Sequence, residues 1–345
     1  MGLFSEFADP LFGVVDLTDY IEKRKYVSRF LSQLLAIEAR GVMVDEVMIE
    51  TRQRTLNLLP FVARGGEPTR RDADKRGARS LKIPAHKAER RIWADSLLKV
   101  RAPGEMRKWA YRELVNEALT DMQDELQNTK EVHLSNLVQG YFKDPVSGAT
   151  SYDYFAEEGI TQEAEIDFDL DNASPAQGAL TLKVNAMKQK MRDNAEDIDV
   201  SRVIGLCSDG FWNLLQVHKE VIGTYAVDVG AGSERLNRDV SEGMFTWRGV
   251  TWISFGRTVS GKLLVPADKA LFFPAAPGLF QARYAPPDFF VDDLSNEVVG
   301  REVYVPPITI DPMHPQSPEW VSVELRSFPI YYPRRASVLM LGKKT

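Results

Sequence analysis

The feature that most constrains this chain is a stretch, residues 64–91, that cannot build a hydrophobic core of its own. It begins Arg64-Gly65-Gly66-Glu67-Pro68-Thr69-Arg70-Arg71 and continues through Lys75, Arg76, Arg79, Lys82 and Lys87 to Arg90-Arg91. With many cations, Gly and Pro but few apolar side chains, it buries too little surface to offset the entropy of ordering it. It therefore reads as a long extended loop. Loops of this length are uncommon inside compact domains and usually serve a function. A partner surface that orders the segment is implied.

The pattern then inverts. Pro103-Gly104 punctuate a helix start, and apolar residues recur at Met106, Ala110, Leu114, Ala118, Met122 and Leu126, with Trp109, Val115 and Leu119 beside them. This spacing predicts a helix from Glu105 to about Gln127 with one apolar stripe. Its length would be roughly 35 Å, which suits a structural spine. Glu105 sits in the first turn, where the helix dipole favours negative charge. Trp109 and Leu119 are expected to pack against a sheet of the same chain.

Ser151 to Asp171 contains no Lys or Arg, yet it carries Asp153, Glu157, Glu158, Glu163, Glu165, Asp167, Asp169 and Asp171. Its end, Glu165-Ile166-Asp167-Phe168-Asp169-Leu170-Asp171, alternates strictly, as a strand with one apolar and one acidic face would. A calcium loop would need a Gly and a final Glu at set spacing, so a solvated or docked strand face is the better reading.

Beyond Ser174-Pro175, Leu180, Val184, Met187 and Met191 form a helical stripe. An apolar strand, Val203–Cys207, precedes a helix opening at Ser208-Asp209, either of which could be its N-cap. A Trp-rich hairpin, Phe245–Phe255, turns at Arg248-Gly249. The alternation describes an α/β unit over roughly 176–300, followed by a β-like, proline-punctuated end. Residues 1–50 read as an arm, with a helical stretch at Tyr26–Leu35 and short strands at Gly41–Val44 and Val47–Ile49.

Chemistry-bearing patterns are sparse. His86, His133, His218 and His314 are scattered without metal-ligand spacing, and the one cysteine, Cys207, lies in an apolar strand and reads as a buried structural residue. No nucleophile elbow, phosphate loop or dinucleotide fingerprint is present, and Gly230-Ala231-Gly232-Ser233 lacks the Gly and Lys of a phosphate cradle. No catalytic residue, cofactor or metal is therefore assigned, and the chain is expected not to be an enzyme. A net charge of -6 argues against binding nucleic acid through overall charge. No apolar run reaches the ~18–20 residues of a membrane span, and the N-terminus lacks a signal-peptide pattern. Two alternatives stay open: a nucleic-acid-binding protein using the basic loop, and a soluble α/β enzyme with its pocket near residues 200–260. Against the first, Glu67, Asp72, Asp74 and Glu89 dilute the loop's charge.

Several segments resemble one known family. Leu279-Phe280-Gln281-Ala282-Arg283-Tyr284-Ala285-Pro286-Pro287-Asp288 is similar to an aromatic Tyr-Ala-Pro-Ala segment, with Pro287 in place of Ala. Gly300-Arg301-Glu302-Val303-Tyr304-Val305 is similar to the Gly-x-x-x-Tyr strand that follows it. Trp320 to Arg335 is similar to a terminal Ser-x-Pro-Leu and Arg-Pro pattern, although Pro333 here precedes Arg334 and Arg335. Arg64-Gly65-Gly66-Glu67-Pro68 resembles an Arg-Gly-x-Pro turn, and Ser208-Asp209-Gly210-Phe211-Trp212 through His218 a helix of the α/β unit. Taken in order, these resemble the major capsid protein E family of tailed phages, the family of the phage lambda head protein.

The resemblance implies an α+β architecture, the Hong Kong 97-like shell fold of tailed phages and herpesviruses. It implies an N-terminal arm (1–52), an extended loop (53–92), a peripheral domain with the spine helix (93–175), an axial domain (176–304) and a return to the peripheral domain (305–345). It implies self-assembly through hexamers and pentamers into an icosahedral shell around double-stranded DNA, contacted weakly and without sequence preference. Portal and scaffold proteins, with a decoration protein as a further candidate, are the implied partners, the scaffold being a separate chain. Assembly is expected in the host bacterial cytoplasm. In the family fold the loop lies over the next subunit. Arg64, Arg70, Arg71, Arg76, Arg79, Lys82, Arg90 and Arg91 are therefore expected to dock near Glu165, Asp167 and Asp169 of a neighbour.

Overall fold

The computed structural model describes residues 30–52, 76–94, 106–195, 198–226, 243–256, 258–259, 261–288, 299–313 and 319–345. A short helix, α1 (Phe30–Leu34), leads into strand β1 (Glu38–Gly41). Strands β2 (Glu46–Arg52) and β3 (Arg76–Lys82) pair antiparallel, from Glu46 opposite Lys82 to Arg52 opposite Arg76. Strand β4 (His86–Trp93) follows. The basic segment is therefore not a loop throughout, because its later half forms two strands. Their few apolar residues find distant partners: Leu81 and Ile83 join the main core and Ile92 a smaller one.

The predicted helix exists but is longer. Helix α2 (Met106–Val138) has 33 residues, about 50 Å of rise. Val115, Ala118, Leu119 and Met122 are buried as expected, and the Trp109 side chain lies outside the described residues. Past Met122 the buried face is carried partly by Gln123, Gln127 and Glu131 before Leu134, Leu137 and Val138 resume it. The Glu131 carboxylate accepts from the amides of Leu31 and Ser32 and from the Ser32 hydroxyl. It thereby satisfies orphan donors at the start of α1. That role explains why a charge is tolerated in the middle of a buried face.

Strands β5 (Tyr141–Lys143) and β6 (Thr150–Asp153) form a hairpin, and Asp153 caps helix α3 (Tyr154–Glu157) by accepting from the Phe155 and Ala156 amides. The acidic alternation yields only a two-residue ladder, β7 (Ile166–Asp167), because Asp169 takes a left-handed backbone (φ 51°). Its facing is as expected, with Phe168 and Leu170 buried, and their amides continue the pairing to the carbonyls of Lys343 and Lys344.

Helix α4 (Ala179–Ala195) buries Leu180, Val184, Met187 and Met191. There follow β8 (Val203–Cys207), buried throughout, α5 (Asp209–Val217), α6 (Lys219–Ala226), β9 (Met244–Trp247) and β10 (Val250–Ser254). The β9–β10 turn holds Arg248 at φ 53° and Gly249 at φ 76°, the left-handed pair that a two-residue hairpin twisted like its strands requires. The rest comprises β11 (Thr258–Val259), β12 (Lys262–Leu263), β13 (Lys269–Pro274), β14 (Phe280–Tyr284), β15 (Thr309–Ile310), β16 (Trp320–Ser327), β17 (Pro329–Pro333) and β18 (Met340–Lys343).

The largest sheet is mixed, in the order β7-β18-β13-β8-β10-β9. Two three-stranded sheets, β1-β14-β17 and β15-β16-β4, tie the early part of the described chain to its late part. Two buried clusters result. The main one surrounds the six-stranded sheet, and the smaller unites α2 with β4 and β16 through Ile92, Val115, Leu119, Met122, Val303, Val305, Val323 and Leu325. Leu119 is fully buried in that smaller cluster. Leu119→Ala is expected to cost about 2–5 kcal/mol, read as a lower urea midpoint of the unassembled subunit. An unchanged midpoint would mean that this helix face contributes little packing.

Candidate functional site

The residues singled out by the sequence lie on two surfaces. On the basic side, Arg64, Arg70 and Arg71 lie outside the described residues, as does the side chain of Arg76, whose backbone pairs in β3. Arg79 is not a free surface cation. It is largely buried, with a guanidinium nitrogen 3.5 Å from the Glu158 carboxylate. Burial pushes the Glu158 carboxyl above its ordinary value, opposed by the Ala336 amide and by Arg79 itself. Lys82 is anchored by its backbone, its amide donating to the Tyr152 hydroxyl at 2.8 Å, while its side chain is exposed. Arg90 pairs with Asp121, and Arg91 with Glu89 at 2.9 Å while stacking over the Trp320 ring at 4.6 Å. Lys87 pairs with Asp288.

On the acidic side, Glu165 pairs with Lys269, and Asp167 lies 3.6 Å from Lys343. The Asp169 carboxylate accepts from the Asn172 amide at 3.0 Å. Glu163 pairs with Lys190 at 3.0 Å. Much of the charge that looks unbalanced in the sequence is thus neutralised within one chain. Exposed pairs of this kind contribute only ~0–1 kcal/mol each.

The sequence reading missed a set of exposed apolar side chains. Met43, Val44 and Met48, at the start of the β2–β3 pair, are 55%, 58% and 71% exposed. Val217, Ile222 and Met244 are also well exposed, at the end of α5, on α6 and on the edge strand β9. Exposed apolar area in excess marks surfaces that meet another protein. Met48 was visible as a strand former, but the face it occupies depends on its partner Ser80, some thirty residues away. Met43 and Val44, expected in a strand at Gly41–Val44, lie instead in the bend after β1 (Glu38–Gly41).

The scattered histidines also come together. His86, at the start of β4, and His133, on α2, approach with Nε2 atoms 3.0 Å apart. His133 stacks on Phe142, with ring centroids 4.7 Å apart and planes 3° from parallel. Burial, and then His86, push His133 down to about 3, and burial also lowers His86. His218 caps locally, its Nδ1 accepting from the Glu220 amide, and His314 lies outside the described residues. Among the described residues no group of three or more His, Cys, Asp or Glu could hold a metal ion, and no helix is long and apolar enough to cross a membrane. Burial raises the Cys207 thiol far above its ordinary value, which suppresses the nucleophilic thiolate.

Residues 13–344 match the phage major capsid protein E family. The chain belongs to that family. Solved capsid proteins share its fold. A putative capsid protein from an Escherichia coli CFT073 prophage superposes with a TM-score of 0.57 at 15% identity, covering 96% of this chain and 99% of its own. The capsid protein of cyanophage Pam1 gives 0.54 at 10% identity, covering 92% and 93%. That of the bacteriophage PhiM1 mature capsid gives 0.52 at 12%, covering 93% and 88%. No curated protein matches the chain. For a phage major capsid protein E, self-association into the shell is the function, so the contact surfaces are the candidate functional site.

Proposed function

We propose that this capsid protein builds an icosahedral shell around double-stranded DNA through hexamers and pentamers, and that it has no catalytic role. The observation that carries this reading is the exposure of Met43 and Val44, in the bend between β1 and β2, and of Met48 on β2, whose strand pair leads into the basic segment. Burying such side chains against a second copy supplies roughly 25 cal/mol per Å² of apolar surface. Permanent interfaces of the size a shell uses bury about 2,000–5,000 Å². Portal, scaffold and decoration proteins, and assembly in the bacterial cytoplasm, belong to the same proposal. So does the division into arm, extended loop, peripheral and axial parts, although the main hydrophobic cluster draws residues from every one of them, Leu31, Leu81, Leu134, Val203 and Met340 included. The nucleic-acid-binding alternative is disfavoured, because Arg79, Lys87, Arg90 and Arg91 have carboxylate partners in the same chain.

Contact between the basic segment and the acidic surface of a neighbour is proposed as a steering interaction. The intrachain pairs of Glu165 and Asp167 leave it a small share of the affinity. One experiment tests both levels. Purified full-length protein, imaged by electron microscopy, is expected to form shells or hexameric rings, and a persistent monomer would overturn the shell reading. The variant Glu165→Lys/Asp167→Lys/Asp169→Lys should fold yet assemble more slowly, with partial rescue by Arg70→Glu plus Arg71→Glu. Normal assembly rate and yield in the triple variant would remove the steering contact while leaving the shell function standing.

A further inference from the structure

We propose that His86 and His133 form a proton-released latch between the long helix and the root of the β2–β3 strand pair, closed when both rings are neutral and opened when a proton is added. The latch acts within one chain and does not depend on the assembly reading.

The geometry forces the coupling. The two Nε2 atoms are 3.0 Å apart and the ring centroids 5.0 Å, so the imidazoles meet nearly end to end. Such a contact is a hydrogen bond only if one Nε2 carries a hydrogen and the other a lone pair. The Nδ1 of His133 is buried and has no hydrogen-bond partner among the described residues. A buried N–H without an acceptor costs about 1–3 kcal/mol. His133 therefore keeps its hydrogen on Nε2 and donates to the Nε2 of His86, which carries its own hydrogen on Nδ1. An added proton has no place in this arrangement. On His86 Nε2 it would set two N–H groups head to head. If the His133 hydrogen moved to Nδ1 instead, it would strand a buried donor. Protonation thus requires the rings to part.

The surroundings offer little to hold a charged ring in place. Phe142 from β5 stacks on one face of His133, and the Tyr331 ring of β17 lies 6.0 Å away. Asp144, in the turn after β5, is the carboxylate that acts on both histidines and favours their charged forms, but burial outweighs it. Its oxygens are already engaged by the Val146 amide and the Ser147 hydroxyl. Of the nearby cations, Lys130 on α2 is tied to Glu302 and Lys87 on β4 to Asp288.

His86 sits four residues after the amide-anchored Lys82, so parting the rings loosens the point where the β2–β3 pair joins the body. The sign follows from linkage. A freed histidine titrates near 6.5, whereas the closed pair resists the proton. Opening therefore grows about tenfold per pH unit below ~6.5 for each ring that protonates only on opening.

The test is amide hydrogen exchange on the full chain between pH 7.5 and 5.0, corrected for the intrinsic pH dependence of exchange. Protection around His86 and His133 should fall by roughly 30-fold or more, while Val203–Cys207 in the central sheet stays protected. In His86→Gln/His133→Gln, two side-chain amides replace the rings and cannot titrate, so the local loss should vanish. Flat wild-type protection, an equal loss in the double variant, or a loss that includes Val203–Cys207 would overturn the latch. Should the double variant not fold, the wild-type ring C–H resonances decide: both rings protonating near pH 6.5 with protection intact would also overturn it.

Discussion

Trp252→Ala is expected to cost about 3–5 kcal/mol, among the largest losses any single truncation in this chain should cause. Trp252 is fully buried on β10, a strand flanked by β8 and β9 in the six-stranded sheet. Its indole meets Phe272 edge-on at 5.3 Å, Phe168 edge-on at 6.2 Å and Phe211 in a stacked arrangement at 6.2 Å. Each such pair adds ~0.5–1.5 kcal/mol beyond simple burial. The indole N–H also donates to the Trp247 carbonyl at 3.4 Å. Removing the ring deletes these contacts together and leaves a cavity between the sheet and α5. That cavity cannot collapse, because β8 and β9 hold β10 by backbone pairing on both sides. The measurement is urea unfolding of the unassembled subunit, with Trp93→Ala as the comparison. Trp93 is half exposed, and its loss should cost less than about 1 kcal/mol. Equal losses in the two variants would mean that the aromatic cluster is not the centre of the core.

That cluster shows what could be read from the sequence. Phe245, Trp247, Trp252 and Phe255 stand around an Arg248-Gly249 turn, and both the alternation and the turn chemistry are local signals. The α4 stripe and the buried β8 strand were legible for the same reason. The end of α2 was not. From Gln123 to Glu131 its buried face is polar, so the apolar period fades although the helix continues to Val138. Nothing near Glu131 announces that it will satisfy amides a hundred residues earlier. The strands at 76–82 and 86–93 were hidden differently. They lie at the margins of their sheets, expose many side chains, and commit Leu81, Ile83 and Ile92 to cores built by other segments.

The contact surfaces were legible as charge but not as free charge. Composition marks residues 64–91 as basic and 151–171 as acidic, and that much is simple counting. Whether a charge is available to a neighbour depends on three-dimensional partners. Lys269 and Lys343, which neutralise Glu165 and Asp167, come from strands more than a hundred residues away. The apolar residues Met43, Val44 and Met48 are the converse case, ordinary core formers by composition that the fold leaves outside.

Gly300→Ala is the second change expected to have a large effect, through the backbone rather than through a lost side chain. Three chain segments converge at this point. The Val42 amide donates to the Tyr284 carbonyl at 2.8 Å, and the Gly300 amide donates to the Val42 carbonyl at 2.9 Å. A Cβ on Gly300 would lie 1.9 Å from the Tyr284 carbonyl oxygen and 2.7 Å from the Ala285 carbonyl carbon. Both obstacles are backbone in a paired strand, so no side-chain rotation relieves them. Either the segment at 299–305 or the end of β14 must move, and both hydrogen bonds, which tie Val42 to these two segments, are put at risk. Overpacking typically costs ~1–3 kcal/mol, and two lost backbone bonds would add ~0.5–1.5 kcal/mol each. A loss of about 3 kcal/mol or more is therefore expected, with faster proteolysis near Gly41–Val44 as β1 detaches. Gly41→Ala should reproduce it, since its Cβ would lie 2.1 Å from the Gly300 carbonyl oxygen. Gly223→Ala, in helix α6 with open space around its Cβ, should instead gain up to about 1 kcal/mol. Urea midpoints of the three variants decide the matter. A Gly300→Ala protein as stable as the parent would show that β1 is not seated against Tyr284 and Gly300 as the backbone bonds require.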